Sequence, residues 1–236
     1  MRNGILLAAL VLCFFSGRDA SADVLKVCMG CNFAGAQLAN SDFSAVVYIG
    51  SNFQGAVLTN ASFHGARLVA SNFEGANLAG AAFDGADCTA CNFKGANLDG
   101  ATFLGARMTA ANFSGFASKV ADAQLRALLA GCVACGFHSA SFAGRDFSEL
   151  PLVSVDFSQA DLRNAKLNGA VLCWYVIDGA QRQTKCDPMP GANVTGASFL
   201  GVRLCTDPAD PKTCTPVTGA ALRRDSGSTL DGAILP

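Results

Sequence analysis

The chain has 236 residues, 51% of them apolar and 15% charged, with a formal net charge of −1. That composition allows one long apolar core. It leaves no basic footprint for nucleic acid and no strongly acidic face that could imitate it.

Residues 1–22 have the form of a secretory signal. Arg2 supplies a short positive start, Ile5 to Phe15 an apolar run, and Ala20-Ser21-Ala22 a small-x-small cleavage site. The apolar run is too short to span a bilayer, and a lipoprotein signal would need a small residue before Cys13, where Leu12 stands. The mature chain is expected to start near Asp23, with no membrane span, and to be exported to the periplasm or secreted.

Residues 23–115 form a first repeat block. Read in fives from Cys31, a large apolar residue falls at one position without a slip, and the residue two before it is small. Positions two apart on an extended chain face the same side, so both point inward and the residue between them points out. Gly at the end of many quintets suits a tight corner. Every fourth centre gives a column. Phe33, Phe53, Phe73, Phe93 and Phe113 form the first, Leu38, Leu58, Leu78 and Leu98 the second, and Phe43, Phe63, Phe83 and Phe103 the third. The fourth varies as Tyr48, Leu68, Cys88 and Met108. A twenty-residue period over a five-residue one predicts a four-sided coil, with like residues stacked about 4.8 Å apart as in paired strands. Asn32, Asn52, Asn72, Asn92 and Asn112 would then stack as a structural amide ladder.

Residues 116–131 read as a helical insert, with a helix over Ser118–Ala130. Ser118 would cap its start, Gly131 would end it, and Ala121, Leu125, Leu128 and Leu129 would face one side. Residues 132–236 are a second block, with centres at Phe137, Phe142, Phe147, Leu152, Phe157, Leu162, Leu167, Leu172 and Ile177. Arg145 and Leu150 stand where small residues belong and Pro151 follows, so one coil should be distorted. Inserts at 183–190 and 206–217, rich in Pro and Asp, read as loops. They interrupt the later centres Val194, Phe199, Leu204, Leu222, Leu230 and Leu235.

The units Ala76-Asn77-Leu78-Ala79-Gly80, Ala96-Asn97-Leu98-Asp99-Gly100 and Ala160-Asp161-Leu162-Arg163-Asn164 resemble the A-(D/N)-L-x-x unit of pentapeptide-repeat proteins. The resemblance covers most of the chain after residue 28. It implies an all-β fold, a right-handed quadrilateral β-helix, here with one short inserted α-helix. Phe at so many centres and the abundance of cysteine depart from the family pattern.

Cys13 leaves with the signal, and the ten remaining cysteines argue for disulfides in an exported protein. Cys28–Cys31, Cys88–Cys91 and Cys132–Cys135 each join a centre to the next small position across a corner, a separation a disulfide can close. Cys173 and Cys205 point outward beside centres and would pair with Cys186 and Cys214, tying two loops to the body. Zinc is disfavoured because Cys28 and Cys88 lie three coils apart, about 14 Å at strand spacing. Covalent haem is disfavoured because Asn32, Asn92 and Gly136 stand where His is needed. A redox thiol belongs at a helix N-terminus, whereas Cys132 follows a helix end.

No catalytic constellation emerges. His64 and His138 follow their centres and should meet solvent, and Asp84, Asp87 and Asp99 lie on different sides. The matches to N-x-S/T at Asn60, Asn112 and Asn193 carry little information in so Asn- and Ser-rich a chain. Trp174 and Tyr175 are candidate partner contacts. The reading is a non-catalytic, exported structural or protein-interaction scaffold without cofactor or metal, binding a protein rather than nucleic acid, with a solenoid end available to a second copy. The alternative is an envelope thiol/disulfide protein using one C-x-x-C. The resemblance also raises a DNA-mimicking topoisomerase-binding protein, which the export signal and near-neutral charge oppose.

Overall fold

In a computed structural model of the chain, residues 26–153, 155–178, 181–185, 192–205, 214–216, 230 and 232–235 are described, with backbone alone at 153, 172–178, 181–185, 204–205 and 214–215. The signal-like segment 1–22 and the centre Leu222 lie outside these residues.

Each quintet is one wall and one corner. The residue before each centre bridges its counterpart in the next coil, in parallel, as in Asn32↔Asn52, Gln37↔Val57, Asp42↔Ser62 and Val47↔Arg67. Phe33 N donates to Asn52 O at 2.6 Å, and Asn52 N to Cys31 O at 2.7 Å. On one wall the extended run is long enough to form strands, β1 (Val27–Met29) paired with β2 (Val47–Ile49). The corner is a β-turn closed from the next small residue back to the centre, as in Ala56 N to Phe53 O at 3.0 Å. Its third residue alone has positive φ, 62° at Gly55 and 58° at Ala90, which defines a type II turn. The polar residue of the unit caps that turn: Asn52, Asn72, Asn92 and Asn112 each accept, through Oδ1, the N–H two residues on, at 3.0–3.1 Å. The same amides form the ladder, Nδ2 to the preceding Oδ1, at 3.1–3.3 Å from Asn52 to Asn112.

The interior is packed as columns. Phe33, Phe53, Phe73, Phe93, Phe113 and Phe137 stack with centroids 4.8–5.1 Å apart. Phe43, Phe63, Phe83 and Phe103 form a second stack at 4.9–5.7 Å. The two stacks meet edge to face at 5.5–5.9 Å from Phe53 to Phe93, a geometry worth about 0.5–1.5 kcal/mol per pair beyond the area buried. The repeat therefore makes a right-handed, four-sided, all-β solenoid.

One coil is enlarged. Asn112 bridges Gly136, 24 residues away, where other rungs of the first block span 20. The beat continues one residue further than the sequence suggests, since Phe116 is buried at a small-residue position and stacks on Phe142 at 5.4 Å. Helix α1 spans Asp122–Ala130, not Ser118–Ala130, and its N-cap Ala121 makes no side-chain cap. Ser118 is used elsewhere: its Oγ accepts Leu98 N at 2.8 Å, replacing the backbone carbonyl that serves Leu78 N one coil earlier. Leu125, Leu128 and Leu129 are buried, while Ala121, which precedes the helix, is exposed. The insert is held to the second block by Arg145, which donates to Val120 O and pairs with Asp122 at 3.2 Å. Arg126 donates to Ser148 O at 2.9 Å.

β3 (Pro151–Val153) pairs in parallel with β4 (Val171–Asp178). Ile177 is not a further repeat centre and the first insert does not begin as a loop at Gln183. β4 runs on past the corner and folds back antiparallel on β5 (Gln181–Lys185), with Val176 opposite Gln183. Val171 to Ile177 contains no residue suited to a corner, so the chain stays extended. The repeat then rejoins at Asp161↔Asn193 and Lys166↔Ser198. β6 (Arg203–Cys205) pairs with β4 and, antiparallel, with β7 (Cys214–Pro216), so part of the second insert is also strand.

Candidate functional site

The groups with chemical potential collect at one corner. Cys28 pairs in register with Tyr48. Tyr48, Leu68, Cys88 and Met108 then donate their N–H groups to Arg67, Asp87, Arg107 and Gly131 of successive coils. Cys28, Cys88 and Cys132 therefore occupy one column, and Cys31, Cys91 and Cys135 the neighbouring one. Cys28–Cys31 and Cys132–Cys135 are disulfides, with Cα atoms 5.9 and 5.5 Å apart. Cys88 and Cys91, expected as a bridge, are instead thiols, 0% and 1% exposed. The Cys91 thiol donates to Leu68 O at 2.9 Å. Burial pushes the Cys88 thiol well above its ordinary pKa, reinforced by Cys91 and Asp87. A thiol held protonated is a poor nucleophile.

The other cysteines are placed by backbone alone. Cys205 and Cys214 are register partners across β6–β7, Cys173 lies in β4, and Cys186 is outside the described residues. Trp174 and Tyr175 stand opposite Lys185 and Thr184 in the β4–β5 hairpin, and their side chains fall outside the description.

The structure does not bring the remaining candidates together. Asp84 accepts Leu104 N at 2.6 Å and the Thr102 hydroxyl at 2.8 Å. Asp87 accepts the amide and hydroxyl of Thr89, and Asp99 accepts Lys119 N. Each carboxylate is engaged at its own corner. His64 is exposed, and His138 shares a hydrogen bond with Ser158 Oγ at 2.8 Å. Among the described residues no three His, Cys, Asp or Glu side chains are grouped as metal ligands, and no helix is long and apolar enough to cross a membrane.

One surface was not singled out from the sequence. On the wall of β1 and β2 the outward positions carry Val27, Met29, Val47 and Ile49 over the first two coils, then Arg67 with Val69, Asp87 with Thr89, Arg107 with Thr109, and further along Val133. Val27 is 62% and Met29 68% exposed. The corresponding positions of the first wall hold the Asn column with Gln54, Glu74 and Lys94. The signal lies in the outward columns, which read Val, Met, Val and Ile over the first two coils before charged residues enter at Arg67 and Asp87.

Two family descriptions match the chain, "Pentapeptide repeat region" over residues 27–103 and "Pentapeptide repeats (8 copies)" over 156–180. Among solved structures, a pentapeptide repeat protein of the Arabidopsis thaliana thylakoid lumen is 32% identical, covering 46% of this chain and 77% of that one, with a TM-score of 0.36. HetL of Nostoc sp. strain PCC 7120, a pentapeptide repeat protein involved in heterocyst differentiation regulation, is 24% identical over 75% of this chain and 71% of its own, with a TM-score of 0.25. Full-length QnrB1, a plasmid-mediated fluoroquinolone resistance protein, is 16% identical over 76% of this chain and 82% of its own, with a TM-score of 0.33. No curated protein sequence matches this one. With its five-residue beat and four-walled coil, the chain belongs to the pentapeptide-repeat family.

Proposed function

We propose that this protein is an exported, non-catalytic scaffold that binds a protein partner through the apolar patch that Val27, Met29, Val47, Ile49 and Val69 form at one end of the wall of β1 and β2. The observation that carries the reading is that patch. Outward polar groups elsewhere are engaged in turn caps and ladders, as at Asn72 and Asp84, whereas here Val27 and Met29 stand in solvent, with Val47, Ile49 and Val69 half-buried beside them. An exposed apolar patch on a rigid body is what a protein interface uses. The export signal supports a partner outside the cytoplasm.

Photo-crosslinkers placed at Met29 and Ile49, compared with Gln54 and Lys94 on the first wall, test this in the native envelope. Adducts from the apolar patch alone are expected. Capture only from the first wall, or only from the inserts at 183–190 and 206–216, would overturn the choice of surface.

The thiol/disulfide alternative draws on the reduced state of Cys88 and Cys91. Their burial and the raised pKa of Cys88 oppose it, because exchange needs an accessible thiolate. A DNA-mimicking role is opposed by the net charge of −1.

A further inference from the structure

We infer that Cys88 and Cys91 close to a third disulfide when the protein folds in an oxidising medium, and that the completed core thereafter locks whichever redox state it encloses. The backbone is already set for the bridge. The corner residue between the cysteines, Ala90, has φ 58°, the value of Ala134 between the bridged Cys132 and Cys135. Cys91 Sγ lies 2.9 Å from Leu68 O in the preceding coil, and Cys135 Sγ lies 3.0 Å from the equivalent Met108 O. The second sulfur therefore occupies the same place in the bridged and the reduced corner. Cys91 N also donates to Cys88 O at 3.0 Å, closing the turn that brings the two side chains to one side.

Access separates this pair from Cys28–Cys31. Cys28–Cys31 lies in the first described coil, with the exposed Val27 and Met29 beside it. Cys88 and Cys91 lie between complete coils, capped by Leu68 below and Met108 above, both 0% exposed. An oxidant reaches them only before those coils stack. The step is thiol–disulfide exchange with a small or protein disulfide, written RS–SR. One cysteine thiolate attacks RS–SR and expels RS⁻. The second thiolate then attacks the mixed disulfide at the first cysteine's sulfur and expels the second RS⁻. The pair loses two protons and two electrons, and the oxidant is reduced to two thiols.

The closure rests on a folding medium that is oxidising, which the export reading supplies, and refolding in vitro tests it without that reading. The mature chain is refolded from urea with oxidised and reduced glutathione, or with dithiothreitol alone. Each sample is unfolded, alkylated without further reduction and digested with trypsin, which places this pair alone in peptide 68–94. The expected result is an unalkylated peptide two mass units lighter after oxidative refolding, and a doubly alkylated one after reductive refolding. The reductively refolded protein is then given oxidised glutathione while still folded. Its peptide 68–94 should stay alkylatable for hours, whereas the same treatment in urea closes the pair within minutes. Double alkylation after oxidative refolding would overturn the bridge, and rapid closure in the folded protein would overturn the lock. The same peptide from protein recovered by export reports on compartment: a closed pair after refolding but an open one after export would count against the export reading alone.

Discussion

At the scale of single residues, the repeat works because one side chain serves three bonds. Asn72 caps its own corner through Glu74 N, donates to Asn52 and accepts from Asn92. Asn72→Ala removes all three and should cost about 1–3 kcal/mol, given roughly 1 kcal/mol per net hydrogen bond. Asn72→Asp keeps both accepting roles and should cost less, as urea midpoints of the two variants would show. Packing dominates inside: Phe73 is fully buried between Phe53 and Phe93, and Phe73→Ala should cost about 3–5 kcal/mol by the same assay. Tyr48 gives a pH prediction. Burial raises its hydroxyl from 10.0 to about 12, so the folded state holds its proton more tightly than the unfolded chain. That contribution is complete below pH 10 and is lost as pH rises towards 12. Tyr48→Phe should remove this part of the alkaline loss in thermal melts between those limits. Asp42 and Asp146 have the opposite sign. Hydrogen bonds from Ser44 and Ser148 lower their pKa values below 3.8, so their support is present above that pH and fades as pH falls through the lowered values.

At the scale of elements, the insert shows how a solenoid accepts an α-helix. α1 brings Leu125, Leu128 and Leu129 inward where two walls are missing, and the chain must then re-enter the square closely. Gly131 marks that point, because a Cβ there would lie 2.1 Å from Ala106 O. Gly131→Ala should therefore displace backbone and lower the melting temperature sharply. Gly95→Ala, whose Cβ would meet nothing within 4 Å, costs only its left-handed φ, about 1–2 kcal/mol. Differential scanning calorimetry on the two variants separates close approach from backbone strain. Ser118 shows why the cap prediction failed. Ser is a good N-cap by type, but the wall's unpaired Leu98 N–H lay within reach of its hydroxyl, a long-range need invisible in local sequence.

At the scale of the molecule, each coil contacts only its neighbours, so stability should spread along the axis from the best-stacked region. The uninterrupted coils from Phe53 to Phe113 hold their centres at 0–2% exposure. The first coil leaves Phe33 and Leu38 only partly buried, and its outward N–H groups at Asn32, Gln37 and Asp42 make no hydrogen bond among the described residues. Amide exchange should accordingly be slowest for the inter-coil N–H groups of Phe73, Leu78 and Phe83, and fastest for the unpaired amides of the first coil. Equal protection at both places would mean that something covers that end.

The sequence alone determined the coil, its four walls and its inward columns, because a period of five with an overtone of twenty has one economical solution for burying every centre. It also placed Cys28–Cys31 and Cys88–Cys91 on one corner, since register follows from counting, whereas Cys132–Cys135 joined them only through the enlarged coil. Where the count was broken it was less informative: the hairpin of β4 and β5, the fate of Phe116 and the work done by Ser118 depended on partners 20 or more residues away or across a new turn. The apolar patch, too, is a property of assembly. Val27, Met29, Val47, Ile49 and Val69 are unremarkable one at a time, and only stacking the coils gathers them into a surface.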